Sequence, residues 1–160
     1  MKKIFFALSL MIGSYTFAQM AVVDAGANHQ MAKQITQSAA QIKQLEKSYQ
    51  LMKDAQEKYR QVNGYVQQMG QLLNIINLQK QAVNNSNKIL QKARKGKFDV
   101  SSIEAQLSQI SGSIKTVQAL LNNGMFNMSD SERITLLENE YDKVKSANAK
   151  ISVKLIKLSY

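Results

Sequence analysis

The chain contains 160 residues with a formal net charge of +10, and it has neither cysteine nor proline. The lack of cysteine excludes a disulfide framework and thiolate metal sites, so stability has to come from a packed apolar core. The lack of proline removes the strongest helix breaker from a composition rich in Gln, Lys, Ala and Leu, and this favours long helices.

The N-terminus predicts an export signal. Two lysines precede an apolar run from Ile4 to Ile12, and small residues follow up to Ala18. This order is typical of a secretory signal peptide, and the run is shorter than the roughly 20 apolar residues of a membrane-spanning helix. We therefore expect cleavage between Ala18 and Gln19, which would release an exported, soluble protein. Without cleavage the protein would stay tethered by its N-terminus.

Cleavage at this site would divide the chain into a signal peptide, residues 1–18, and a single helical domain, residues 19–160. It would remove Lys2 and Lys3 and no acidic residue, so the net charge would fall only from +10 to +8. The mature domain is therefore expected to be strongly basic.

An apolar seam marks the first two predicted helices. From Met31 to Met52 the seam residues recur at alternating spacings of four and three, which places them on one face of a helix. The seam continues through Val62, Val66, Met69, Leu73 and Ile76. It slips in register beside Asn63-Gly64, which predicts a bend or a break between two helices. The second of them should end at Lys95-Gly96-Lys97, where glycine can cap it.

Two capping signals mark the helices that follow. Ser101 precedes Glu104 by three residues, the spacing of a capping box, so a third helix should begin near Ser102. The same spacing recurs at Ser129 and Glu132 and predicts the start of a fourth helix. The fourth seam contains Ile134, Leu137, Tyr141, Val144, Asn148, Ile151, Leu155 and Leu158. We expect an all-α fold, an elongated bundle of three to four helices with a long antiparallel pair and a loose appendage.

Catalytic chemistry finds little support in the residue inventory. His29 is the only histidine, and no cysteine or spaced carboxylate accompanies it, so an ordinary surface residue is expected there and not a metal ligand. The chain has no glycine-rich phosphate loop. We therefore predict a non-enzymatic protein without a metal or cofactor.

Basic and apolar residues outside the seams are the candidate contacts. A basic cluster near the end of the second helix contains Lys88, Lys92, Arg94, Lys95 and Lys97. We favour the interpretation that these cations complement the helix dipole, and the alternative is contact with an anionic surface. Four apolar residues off the seams are candidate partner contacts: Val22, Val23, Val153 and Ile156. For Val153 and Ile156 we favour packing inside the bundle, with a partner contact as the alternative, and for Val22 and Val23 both interpretations stay open. Asn148 is expected to face the core and to set the helix register.

Three stretches resemble a known family, the minor pilus subunits of type IV secretion systems and their conjugative-transposon counterparts. The stretches are Gln19–Asp24 followed by Asn28, the glutamine-rich Gln30–Tyr65, and Met128–Ile134. Two departures are Ala25, where family members commonly have proline, and the short chain.

The resemblance implies a component of a conjugation apparatus in the periplasm or at the pilus tip. Its partners would be other conjugation and secretion proteins, with homo-oligomers as an option. Specific nucleic-acid binding is not expected, and membrane contact would be peripheral at most. The alternative function is a periplasmic coiled-coil holdase chaperone for outer-membrane proteins.

Overall fold

A computed structural model of the protein describes residues 26, 28–54, 63–95, 100–124 and 128–159. The regular structure within these ranges is helical throughout. Helix α1 covers residues 28–54, α2 is Asn63–Lys95, α3 is Ser101–Ala119, and α4 is Asp130–Lys157. A short π-helix, Leu120–Gly124, continues α3. The expected all-α bundle is confirmed, and none of the described helices is long and apolar enough to cross a membrane.

Helices α1 and α2 form an antiparallel pair. Lys80 of α2 donates to Glu46 of α1 at 2.6 Å. In one continuous helix these residues would lie about 50 Å apart, so the chain reverses between α1 and α2. The connection, residues 55–62, is too short to return along the length of α1, which makes the pair antiparallel. The register slip at Asn63-Gly64 therefore marks a reversal, and an appendage between the two helices falls outside the described residues.

Helices α2 and α4 run parallel. Four hydrogen-bonded pairs join them, with sequence separations of 65 to 67 residues: Gln68 with Arg133, Gln81 with Asn148, Asn85 with Ser152, and Lys92 with Ser159. A nearly constant separation means that both chains advance in the same direction. Helix α3 is joined to each of them by a short connection and runs antiparallel to both.

Helix α2 lies at the centre of the bundle and buries an unusually wide stripe. Adjacent apolar pairs recur every seven residues along it, at Ile75 and Ile76, at Ala82 and Val83, and at Ile89 and Leu90. A helix with one neighbour buries a narrower stripe, whereas α2 packs against α1, α3 and α4.

Two seam predictions are wrong, one on α2 and one on α4. Leu73 was predicted to face the core, but it is 38% exposed while the adjacent Leu72 is fully buried. On α4, Ile134 is 40% exposed and Arg133 is buried in its place. The predictions were wrong because a seam drawn for one partner helix does not account for the position of a second neighbour.

One of the two predicted capping boxes is formed. Ser129 is the N-cap of α4: its hydroxyl accepts from the Glu132 amide at 3.3 Å, and the Glu132 carboxylate accepts from the Ser129 amide at 2.9 Å. Helix α3 departs from the prediction, since its N-cap is Val100, which makes no side-chain capping bond. Because α3 begins at Ser101, Glu104 falls one position too far along the helix for a capping box.

The capping box predicts a pH-dependent contribution to stability. Hydrogen bonds from the hydroxyl and the backbone amide of Ser129 lower the pKa of Glu132. A lowered pKa in the folded state stabilises the protein above the ordinary carboxyl pKa, and this contribution is lost as the pH falls through the lowered value. We expect Glu132→Ala to lower the melting temperature at neutral pH by an amount that shrinks in this acidic range, as thermal unfolding monitored by circular dichroism would show.

The matched control is Glu138→Ala, which removes an exposed carboxylate from the same helix. It should leave the melting temperature nearly unchanged across the same pH range. A Glu132→Ala deficit that stayed constant down to the lowest pH would contradict the role of the carboxylate.

Candidate functional site

The parallel packing of α2 and α4 brings two basic segments to the same end of the bundle. The cluster near the end of α2 and the last turns of α4 lie at the same level, because Lys92 contacts Leu158 and Ser159. We call this region the basic end and define it by Lys88, Lys92, Lys150, Lys154 and Lys157. The structure describes the backbone of Arg94 and Lys95 but not their side chains, and Lys97 is outside the described residues.

Lys92 is held by the end of α4. Its ammonium donates to the Leu158 carbonyl at 3.2 Å and to the Ser159 hydroxyl at 2.9 Å. Leu158 is the C-cap residue of α4, where helix carbonyls lack partners in the helix and the dipole is negative. Lys92 belongs to α2, but the helix terminus that it complements is the C-terminus of α4.

Lys88, one turn before Lys92, is exposed and forms no salt bridge with a described residue. The two lysines were predicted as equivalent members of one cluster. In the structure Lys92 is hydrogen-bonded to the end of α4, whereas Lys88 is exposed at the surface. Contact of the cluster with an anionic surface stays a prediction.

Val153 and Ile156 lie on the outer side of α4. Their side chains are 51% and 57% exposed, so the bundle does not bury them. The buried stripe of α4 runs through Val144, Ala147 and Ile151, and the helical repeat places Val153 and Ile156 away from it. The favoured prediction of packing inside the bundle is wrong for these two side chains, and their role as partner contacts stays a prediction.

The N-terminal candidates lie outside the described residues. Val22 and Val23 belong to this stretch, as do the predicted cleavage site at Ala18 and Gln19 and the whole of residues 1–18. The partner contacts and the cleavage remain predictions.

Asn148 faces the core, as expected. It is 7% exposed, and its side-chain amide nitrogen donates to the side-chain oxygen Oε1 of Gln81 on α2 at 2.9 Å. Arg133 makes a similar link at the start of α4, where its guanidinium donates to Gln68 at 3.0 Å and to the Met128 carbonyl at 2.8 Å. Because buried polar groups are costly without partners, these two contacts favour one register of α4 on α2.

His29 is an exposed residue near the start of α1, in agreement with the sequence. It borders a shallow surface depression whose other lining residues, Ala32, Lys33, Thr36 and Gln37, also belong to α1. Among the described residues, no group from another element reaches the imidazole in this depression. In the described ranges, no three His, Cys, Asp or Glu residues are grouped so that they could hold a metal ion.

Two exposed leucines on the α1–α2 pair were not predicted from the sequence. Leu51 is 67% exposed on α1, and Leu73 is 38% exposed on α2. Measured from the Glu46–Lys80 contact along antiparallel helices, the two leucines lie within about 3 Å of the same level. We call Leu51 and Leu73 the hairpin leucines. Leu51 lies off the seam, as Val153 and Ile156 do, so the same signal could have found it.

One comparison with known proteins gives a match. The family model Sec20 matches residues 24–82, which include α1 and the larger part of α2. This stretch is a little more than a third of the chain. No curated protein and no solved structure matches.

The match overturns the family resemblance inferred from the sequence. It favours a SNARE-related protein of vesicle trafficking and gives no support to a pilus subunit. The predicted roles in conjugation and as a periplasmic holdase are therefore wrong, and so are the predicted conjugation and secretion partners and the predicted export to the periplasm or pilus. The glutamine-rich seam misled because an apolar residue every three or four positions meets the packing requirement of any helical bundle.

The different positions of Lys92 and Lys88 give a stability prediction. We expect Lys92→Gln to reduce the free energy of unfolding by about 1 kcal/mol, because it replaces a charged donor at the C-terminus of α4. Lys88→Gln, one turn away on the same helix, should change it by less than about 0.5 kcal/mol. Urea unfolding of both variants measures the difference, and equal effects would show that Lys92 does not support α4.

Proposed function

We propose that this protein is non-catalytic and acts in vesicle trafficking by binding a helical segment of a partner protein on its α1–α2 pair. The Sec20 match carries the trafficking part of the proposal, since it covers residues 24–82. Binding through helices fits a family that is SNARE-related. The exposed leucines of the α1–α2 pair support the choice of this pair as the binding surface.

The hairpin leucines supply apolar anchors for such a helix. Leu51 is the most exposed large apolar residue among those that the structure describes, and Leu73 lies at the same level on the adjacent helix. Around Leu51, Tyr49 and Met52 are half-buried against the core, so this part of the pair is incompletely covered. A partner helix that crosses the pair can use spaced apolar side chains of this kind as anchors.

Two observations support a non-catalytic role. The described lining of the depression beside His29 comes from one helix, so no second group of the described ranges converges on the imidazole. Inside the bundle, Gln79 donates to Ser113 at 3.0 Å, and both side chains are fully buried, so this polar pair is closed to a substrate. These two observations favour binding over catalysis.

The first test measures the consequence of removing the anchors. We expect the double variant Leu51→Ser, Leu73→Ser to fail to restore transport of a secreted reporter protein in cells that lack the gene. Each leucine that is fully buried on binding contributes about 1.5 to 3 kcal/mol, so losing both should weaken partner binding by more than about tenfold. Ile134→Ser is the matched control, because Ile134 is exposed on another helix, and it should restore transport.

A second test identifies the contact directly. A photo-crosslinking residue at position 51 should capture a helical trafficking protein in cells, and the same residue at the exposed position 138 should not. Normal reporter transport in cells without the gene would overturn the trafficking role. Crosslinks at position 138 to the same protein would overturn the assignment of the surface.

A further inference from the structure

We propose that the basic end of the bundle is a second binding surface, which docks on an anionic lipid membrane. In this arrangement Val153 and Ile156 enter the headgroup layer, and Lys150 and Lys157 contact lipid phosphate and carboxylate groups. This surface lies in the other half of the bundle from the hairpin leucines. Its chemistry is independent of the trafficking proposal, so either can fail without the other.

The first observation is a charge imbalance that the tertiary structure creates. The half of the bundle around the C-terminal ends of α2 and α4 consists of residues 28–45, 81–95, 101–110 and 148–159, and Glu104 is the only carboxylate within these ranges. The same ranges contain seven lysines with described side chains: Lys33, Lys43, Lys88, Lys92, Lys150, Lys154 and Lys157. Basic residues near an anionic bilayer are attracted to its surface potential.

The second observation is the apolar pair within this positive surface. Val153 and Ile156 are more than half exposed on the last turns of α4, and Lys150 and Lys157 are exposed beside them. A helix that lies at a membrane interface combines aliphatic side chains with lysines in this manner. The long lysine stems allow the ammonium groups to reach the headgroups while the aliphatic groups enter the bilayer.

Two other occupants fit these observations less well. In a dimer of this chain built on Val153 and Ile156, the lysines of both copies would face one another, and like charges in contact are destabilising. A nucleic acid would pair with the lysines, but it offers no apolar layer for two exposed aliphatic side chains. A lipid surface satisfies both the charge and the apolar pair.

Lys92 lies at this end but is not part of the proposed contact. Its ammonium already donates to the Leu158 carbonyl and to the Ser159 hydroxyl. The lysines assigned to the membrane are the exposed ones, and Lys92 holds the end of α4 in place beneath them.

Vesicle binding of the full-length chain tests the proposal. Cosedimentation is measured with phosphatidylcholine vesicles and with an equal mixture of phosphatidylcholine and phosphatidylserine. Because Ile4–Ile12 is itself apolar, the readout is the gain in binding on the anionic vesicles over the neutral ones. We expect a clear gain at low salt that weakens as salt is added, since salt screens exposed charges.

Two pairs of variants separate the contributions. Lys150→Gln with Lys157→Gln should weaken anionic-vesicle binding by about 25-fold, or about fivefold for each lysine. Val153→Ser with Ile156→Ser should weaken it by about tenfold or more. The controls are Lys47→Gln with Lys53→Gln, exposed in the other half of α1, and Ile134→Ser at the start of α4. They should bind as the unchanged protein does, and circular dichroism should show equal helicity for all.

Three outcomes would overturn the proposal. The first is equal binding to neutral and anionic vesicles, and the second is unchanged binding after both double substitutions. The third is binding to soluble polyglutamate that is as tight as vesicle binding and insensitive to Val153→Ser with Ile156→Ser, which would point to an acidic protein as the occupant.

Discussion

The parallel packing of α2 against α4 fixes the register of α4, the role of α3 and the position of the basic end. Consecutive helices joined by short connections are antiparallel, so a parallel pair requires an intervening helix that returns the chain, and α3 is that helix. Polar contacts hold the pair from Gln68 with Arg133 at one end to Lys92 with Ser159 at the other. Sliding α4 by one turn would separate all of these partners at once and bury some of their polar groups without hydrogen bonds.

A parallel pair has an electrostatic cost that the basic residues offset. The C-terminal ends of α2 and α4 lie side by side, so the negative ends of their dipoles are close together. Lys92 donates directly to the end of α4, and Lys154 and Lys157 lie in its last turn. Some of the positive charge at this end therefore serves the fold. Lys88, Lys150 and Lys157 are exposed, and this excess of positive charge makes the end a surface for anions.

The bundle thus has two exposed apolar features in opposite halves and in different electrostatic surroundings. The hairpin leucines lie close to the ion pair of Glu46 and Lys80, where the charges are mixed. Val153 and Ile156 lie among lysines without an acidic residue on the same stretch of α4. Apolar side chains of similar size therefore suit different occupants, because the neighbouring charges select among them.

The helices, and some of the residues at which they begin and end, could be predicted from local sequence patterns. Apolar spacing depends on the 3.6-residue helical repeat, and the capping box at Ser129 and Glu132 depends only on neighbouring residues, so both could be predicted without the fold. At Ser101 the same motif failed, because α3 begins one residue earlier than its spacing predicts. The family resemblance also failed, since helical periodicity is common to many unrelated bundles.

The burial of individual seam residues, and the hydrogen bonding of individual lysines, depend on tertiary contacts that the sequence pattern does not reveal. Leu73 is exposed and Arg133 is buried because each helix has more than one neighbour, and the position of a second neighbour depends on contacts far apart in sequence. Lys88 and Lys92 look alike along the chain. They differ because the end of α4, more than 60 residues away, lies within hydrogen-bonding distance of only one of them.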